Sequence, residues 1–278
     1  MNSYNQSALL RFNTSAKVYR TCLKPVMTSQ TPYLSIVVPC FNEEGNLQPL
    51  QQTICDELHK IELSYELIII DDCSTDGSWA VLRQLAESDP RIRGLRLERN
   101  SGQSAAIWAG LKAARGRYIV TMDADLQNSP EDLRKLLEQL EHWDCVCGSR
   151  VQTRKKGDSF VRRASSRIAN WVRNTATNEH VTDSGCCYRA FKRECIDNLK
   201  FFKGMHRFLP TLIKIEGYSV TEVAVGHKPR LTGHSHYGVW DRLFAASYDL
   251  MAICWMQRRM FRYQIEDRVN LSDPAKKS

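Results

Sequence analysis

From Leu34 onward, short runs of branched apolar residues alternate with longer segments whose apolar positions recur at three- and four-residue steps. The runs at 34–39, 67–70, 92–97, 118–122 and 145–148 predict strands, and the segments 47–61, 78–87, 103–114 and 130–142 between them predict helices. Such alternation predicts an α/β fold, a mostly parallel sheet covered on both faces by helices. In sheets of this kind ligands bind beyond the carboxyl ends of the strands, so the polar residues that follow each strand are the ones to inspect.

Past Arg150 the pattern loosens and becomes basic, with helices expected at 160–175 and 205–216, a strand at 218–225, and a His- and Gly-rich loop at 226–238. A last helix is expected from Val239 to about Arg262. Its apolar stretch, Leu243 to Met256, contains Asp249 and is about 14 residues long, short of the roughly 20 that span a bilayer. Arg258, Arg259 and Arg262 follow it among Trp255, Phe261 and Tyr263, which fits a helix lying at an anionic membrane surface and fits equally a core-packing helix with solvated arginines. Residues 1–32 are polar, lack a sustained period and are expected to form a disordered extension; 33–238 would then be one domain, in halves 33–150 and 151–238, and 239–278 a C-terminal helix and tail.

The ten cysteines show no C-x-x-C spacing, and no signal-peptide core precedes them, so a reduced, cytoplasmic setting is expected. Cys145, Cys147, Cys186 and Cys187 read as small apolar packing groups. The net charge of +8 calls for anionic partners without choosing among nucleic acid, acidic lipid and phosphorylated substrates.

The strand ends narrow that choice. Pro39-Cys40-Phe41-Asn42-Glu43 follows the first strand, Asp71-Asp72-Cys73-Ser74-Thr75-Asp76-Gly77 the second, and Asn100-Ser101-Gly102 the third. The fourth runs out into Asp123-Ala124-Asp125-Leu126-Gln127, where two carboxylates on alternate residues could hold a divalent cation jointly with substrate phosphates. Asp71 and Asp76 read as turn and capping residues in an Asp-Gly-rich loop. Arg162 and Ser166 are four apart on an expected helix and share a face, with Arg150 leaving a strand nearby, which makes a place for a phosphate monoester. Arg163, Arg167 and Arg173 read as solvated surface residues, and His227, His234 and His236 lack the cysteines or ligand spacing of a metal site.

In order, these motifs resemble the nucleotide-binding half of the inverting family 2 glycosyltransferases of the GT-A fold, through Ile36-Val37-Val38-Pro39 to Gly148-Ser149-Arg150. The second half resembles the polyprenyl-phosphate sugar transferases typified by dolichol-phosphate mannose synthase, through Arg162, Ser166, Asp183-Ser184-Gly185, Tyr188-Arg189, Gly204-Met205-His206-Arg207-Phe208, Arg230, Gly233, Ser235 and Tyr237. The resemblance implies that Pro39, Phe41, Glu43, Ile70 and Asp72 line the base and ribose pocket, with Asp123, Ala124 and Asp125 completing the nucleotide site. It implies that Asp123, Asp125 and Gln127 bind Mg2+ or Mn2+ and the diphosphate, that Arg162 and Ser166 take the acceptor phosphate, and that Arg150 and Arg230 meet acceptor or diphosphate oxygens. Where the family usually has lysine between Ser235 and Tyr237 this chain has His236, an imidazole in place of a fixed cation at the diphosphate.

The expected chemistry is inverting transfer of a sugar, with mannose favoured, from a GDP- or UDP-linked donor to a polyprenyl phosphate at the cytosolic face of a membrane, where a membrane-protein partner could assist. An acceptor phosphate is already ionised near neutrality, its second pKa being about 6, and needs no general base. A hydroxyl acceptor would need one, and Asp183 is the candidate. A processive polysaccharide synthase should carry a Gln-x-x-Arg-Trp segment, which is absent, and a non-catalytic or nucleic-acid-binding protein would have no use for Asp123, Asp125 and Gln127.

Overall fold

The computed structural model describes residues 31–151, 170–179, 181–226 and 239–261. Arg162, Ser166, Arg230 and His236 lie outside the described residues, as do Arg163, Arg167 and nearly all of the expected N-terminal extension.

Seven strands form one sheet in the order β3-β2-β1-β4-β6-β5-β7. They are β1 (Leu34–Cys40), β2 (Tyr65–Asp71), β3 (Ile92–Arg96), β4 (Tyr118–Thr121), β5 (Cys145–Ser149), β6 (Arg189–Lys192) and β7 (Val220–Ala224). β6 alone runs antiparallel, between β4 and β5, and sequence patterning does not foresee it. Because β6 and β7 share a sheet with β1–β5, the two expected halves are one body.

Alternation along the central strands divides the core. Leu34, Ile36 and Val38 of β1 and Leu67 and Ile69 of β2 face one side, where they pack with Leu47, Leu50, Ile54 and Leu58 of α1 (Glu44–Lys60), Leu82 of α2 (Ser78–Ser88), and Leu133 and Leu136 of α4 (Leu133–Gln139). Val37, Ile68 and Ile70 face the other, beneath Ala106, Ile107 and Leu111 of α3 (Gln103–Ala113). That second core also receives Leu209, Leu212 and Ile213 of α6 (Leu209–Ile215) and Ile253 of α7 (Val239–Arg259). A further helix, α5, is described over 170–177. The expected long helix at 130–142 divides into a 3-10 turn, Pro130–Asp132, and the shorter α4.

α3 approaches the sheet closely because Gly110 has no side chain: a Cβ there would lie 2.4 Å from Val37 Cγ1 and 2.6 Å from Ile70 Cδ1. Since α1 and α2 cover one face and α3 the other, the chain leaves β1 and enters β4 on opposite sides. The adjacent carboxyl ends of β1 and β4 therefore open a crevice, the usual ligand position in an open α/β sheet.

Cys55 on α1 is disulfide-bonded, which departs from the expected all-thiol chain; Cys40, Cys73, Cys145, Cys147, Cys186, Cys187, Cys195 and Cys254 are free. No helix among the described residues is long and apolar enough to cross a membrane.

Candidate active site

Two loops form one wall of the crevice. Asn42, in a left-handed conformation at φ 56°, donates its backbone N–H to Ser74 Oγ (2.9 Å) and accepts from Thr75 N–H at Oδ1 (2.8 Å). The Glu43 N–H donates to Ser78 Oγ (2.9 Å), so the segments after β1 and β2 are joined. Phe41 keeps 39 % of its surface exposed above them, an open apolar face beside the partly buried Pro39 and Glu43.

Asp76 accepts from Ser78 N–H and Asp71 from Ser74 N–H, the local turn bonds expected of them. Asp71 is also fully buried against Arg96 (3.1 Å). Asp72, likewise buried, takes Ser101 N–H at Oδ1 (2.7 Å) and Gly102 N–H at Oδ2 (2.8 Å), which fixes the turn into α3. Each of its oxygens has one further lone pair for a ligand. The Ile70 side chain is fully buried under Gly110, so only the backbone of this residue is placed to face the pocket.

At the end of β4, Asp123 is partly buried, Ala124 and Asp125 are buried, and the Gln127 N–H returns to Asp125 Oδ1 (3.2 Å). Leu126 between them is held at φ 60°, a strained conformation for a residue with a Cβ, of the kind that gathers at functional sites. Burial first, and then the charge of Asp125, push Asp123 up to about 6; the Cys187 thiol, Arg150 and Arg189 act in the opposite sense. Gln103, the first residue of α3, donates its amide to Asp123 Oδ1 (2.9 Å) and to Cys187 Sγ (3.3 Å). This amide is a site residue that the motif reading passes over, although it directly follows Asn100-Ser101-Gly102.

The donor set fits a divalent cation shared with a diphosphate. The charge of Asp125 disfavours ionisation of Asp123 at this strand end, and among the described residues no third His, Cys, Asp or Glu joins them to make a cage. Gln127 places an amide within the same turn.

On the acceptor side, Arg150 is buried and grips Asp183 with both arms of its fork, Nε to Oδ2 at 2.7 Å and Nη2 to Oδ1 at 3.0 Å, while its backbone N–H also reaches Oδ2 (3.1 Å). Burial is the largest single influence and alone would ease a proton off this guanidinium, but the Asp183 bond, together with the charge of Asp183 and the nearby Cys186 and Cys187, outweighs it and keeps Arg150 charged. The fork of Arg150 is turned onto Asp183 and not to solvent, and both oxygens of Asp183 accept from this arginine. Arg173 is not a solvated residue either: it is buried, pairs with Glu179 (3.0 Å), donates to Thr211 Oγ1 and lies over the Phe208 ring.

Arg189 of β6 lies beside the crevice, donating from Nη1 to the His206 carbonyl and from Nη2 to the Ser184 carbonyl (3.3 Å). His206 shares a hydrogen with Ser104 Oγ (2.7 Å), and burial, helped by Arg207 and Arg189, pushes it down to about 3, so it stays neutral. Gly226, where the chain departs toward Arg230 and His236, donates its N–H to Asp132 Oδ2 (2.6 Å).

Residues 35–200 match glycosyl transferase family 2. An undecaprenyl-phosphate 4-deoxy-4-formamido-L-arabinose transferase of Aeromonas hydrophila is 36% identical over 220 residues, covering 78% of this chain and 66% of that protein. A dodecaprenyl-phosphate galacturonate synthase of Rhizobium johnstonii is 34% identical over 248 residues, covering 86% of this chain and 72% of the relative. The chain thus spans about two thirds of the length of such relatives. Glucosyl-3-phosphoglycerate synthase from Mycobacterium tuberculosis, solved with Mn2+, uridine-diphosphate and phosphoglyceric acid, superposes with a TM-score of 0.60 at 20% identity over 83% of this chain and 80% of that one. A mannosyltransferase from Pyrobaculum calidifontis, solved with GDP-Man and Mn2+, gives 0.57 at 19% identity over 88% and 70%. Both share the GT-A fold found here, and the match over 35–200 together with relatives above 30% identity shows that this chain belongs to glycosyl transferase family 2.

Proposed function

We propose that this chain transfers a sugar from a nucleoside diphosphate to a polyprenyl phosphate, with inversion at the anomeric carbon. The observation that carries the acceptor assignment is the Arg150–Asp183 pair: the carboxylate the sequence offers as a base for a hydroxyl acceptor is bound at both oxygens. A phosphate acceptor needs no base, and the relatives named above use prenyl phosphates.

Asp123, Asp125 and Gln127 would hold Mg2+ or Mn2+, which when bound supplies Lewis acidity at the diphosphate. Phe41 offers an apolar face to the base, and Glu43 and the spare lone pairs of Asp72 offer acceptors for ribose hydroxyls and base N–H groups. Gln103 keeps Asp123 turned into the crevice. An oxygen of the acceptor phosphate attacks the anomeric carbon as the bond to the diphosphate breaks, and the nucleoside diphosphate leaves with the electron pair. The relatives name 4-deoxy-4-formamido-L-arabinose and galacturonate, so the preference for mannose rests on the dolichol-phosphate mannose synthase resemblance alone, and GDP and UDP donors both enter the screen.

Arg162 and Ser166 are assigned to the acceptor phosphate, Arg230 to acceptor or diphosphate oxygens, and His236 to the diphosphate. Arg162→Ala is expected to raise the KM for prenyl phosphate about 10- to 100-fold, the loss of one charge-assisted bond, with donor affinity unchanged. Steady-state kinetics with each substrate varied in turn checks this. An unchanged acceptor KM would remove Arg162 from the site.

A further inference from the structure

Asp123 is steadied by side chains from two other parts of the fold. Gln103 is the first residue of α3, and the turn that delivers it is fixed on both sides. Before it, Gly102 stands at φ 86°, a left-handed conformation that glycine adopts without steric cost, with its N–H on Asp72 Oδ2 (2.8 Å). After it, Ser104 Oγ accepts the Gly204 N–H (3.0 Å) and shares a hydrogen with His206 Nδ1 (2.7 Å). The amide of Gln103 is thus carried on a rigid turn.

A primary amide has two N–H groups to place. Those of Gln103 go to Asp123 Oδ1 (2.9 Å) and to Cys187 Sγ (3.3 Å). The sulfur therefore decides which way the amide faces, since the opposite orientation would set a carbonyl oxygen against a carboxylate. Cys187 is itself held in place: it is buried, and its carbonyl accepts from Thr121 Oγ1 (2.7 Å), on β4 two residues before Asp123. Sulfur, amide and carboxylate form one fixed cluster at the end of β4.

A carboxylate can meet a metal ion through one oxygen or through both. Ca2+ takes roughly six to eight oxygens in flexible geometry and readily uses the two-oxygen clasp, whereas Mg2+ demands a compact octahedron, and Mn2+ suits the same kind of site. We infer that Gln103, oriented by Cys187, is a specificity-determining residue of the cation site: by occupying Oδ1 it leaves Asp123 one oxygen for the metal, which favours Mn2+ or Mg2+ over Ca2+. The inference rests on the proposed assignment of Asp123 and Asp125 to a cation shared with a diphosphate. Gln103 acts through Asp123 and needs no contact with the metal, the role of an outer hydrogen-bond partner that tunes a ligand.

The test is calorimetric titration of the full chain with Mn2+ and with Ca2+, in the presence of UDP and, separately, of GDP. The wild type should bind Mn2+ more tightly than Ca2+. Gln103→Leu, close in size but without a donor, should weaken Mn2+ binding about 10- to 100-fold and Ca2+ binding much less, so that the ratio of the two affinities falls. Cys187→Ala, which frees the amide to turn, should move the ratio in the same direction even if Gln103→Leu folds poorly. Cys187→Ser, whose hydroxyl can still accept from the amide, should restore it. An unchanged ratio in Gln103→Leu and Cys187→Ala, an equal loss of both cations, as a merely structural role would give, or a wild type that binds Ca2+ as tightly as Mn2+ would each overturn the inference. A wild type that binds neither cation with either nucleotide would instead count against the proposed cation site.

Discussion

Asp125→Asn is expected to lower sugar transfer by at least about a thousandfold, because it removes one of two carboxylates assigned to a cation worth several kcal/mol at the leaving diphosphate. The fold should not suffer. Asp125 is buried beside a carboxylate whose proton affinity it raises, so neutralising it relieves repulsion at the end of β4. In metal-free buffer the Tm of the variant should match or exceed that of the wild type, and the rise in Tm that Mn2+ gives the wild type should be lost. Wild-type turnover, or an unchanged Mn2+ response, would remove Asp125 from the cation site.

Asp183→Ala should be costly in a different way. It leaves the guanidinium of Arg150 buried without its bidentate partner, a change that typically costs about 3–5 kcal/mol. Urea unfolding should show that loss, and transfer should fall with it, because the same pair ties the end of β5 to the segment after α5. A general base would behave otherwise: its removal would abolish turnover at unchanged stability. Full stability combined with a dead enzyme would return Asp183 to the role of base and make the acceptor a hydroxyl.

Much of this was legible in the chain because periodicity is a local property. β1 to β5 and α1 to α3 lie within a few residues of where the apolar runs and three- and four-residue steps put them. The carboxylates of Asp123 and Asp125 fall at the sheet edge for the same reason: they directly follow an apolar strand. β6 was not legible. Four residues, Arg-Ala-Phe-Lys, are too few to establish a period, and its place between β4 and β5 depends on pairings with Thr121 and Cys147 that no local pattern records.

A charged residue gives no local sign of a distant partner. Arg173 reads as a surface residue, yet Thr211, 38 positions away, and Glu179 draw it into the interior. Arg150, expected to meet acceptor or diphosphate oxygens, and Asp183, the candidate base, stand 33 positions apart and hold one another. Gln103 gives no signal by residue type, and only the proximity of α3 to β4 shows that its amide meets Asp123. Ile70 stands one residue from the strand end, but alternation along β2 turns its side chain into the core beneath α3.

The nature of the acceptor is tested most directly by offering the full chain a prenyl phosphate and the corresponding free prenol, each with a panel of GDP- and UDP-sugars and Mn2+ or Mg2+, and identifying the glycolipid by mass spectrometry. The account predicts a sugar–phosphate–prenyl product from the phosphate with at least one donor, and none from the alcohol. Sugar attached to the prenol, or to a glycan hydroxyl while the prenyl phosphate stays untouched, would contradict it.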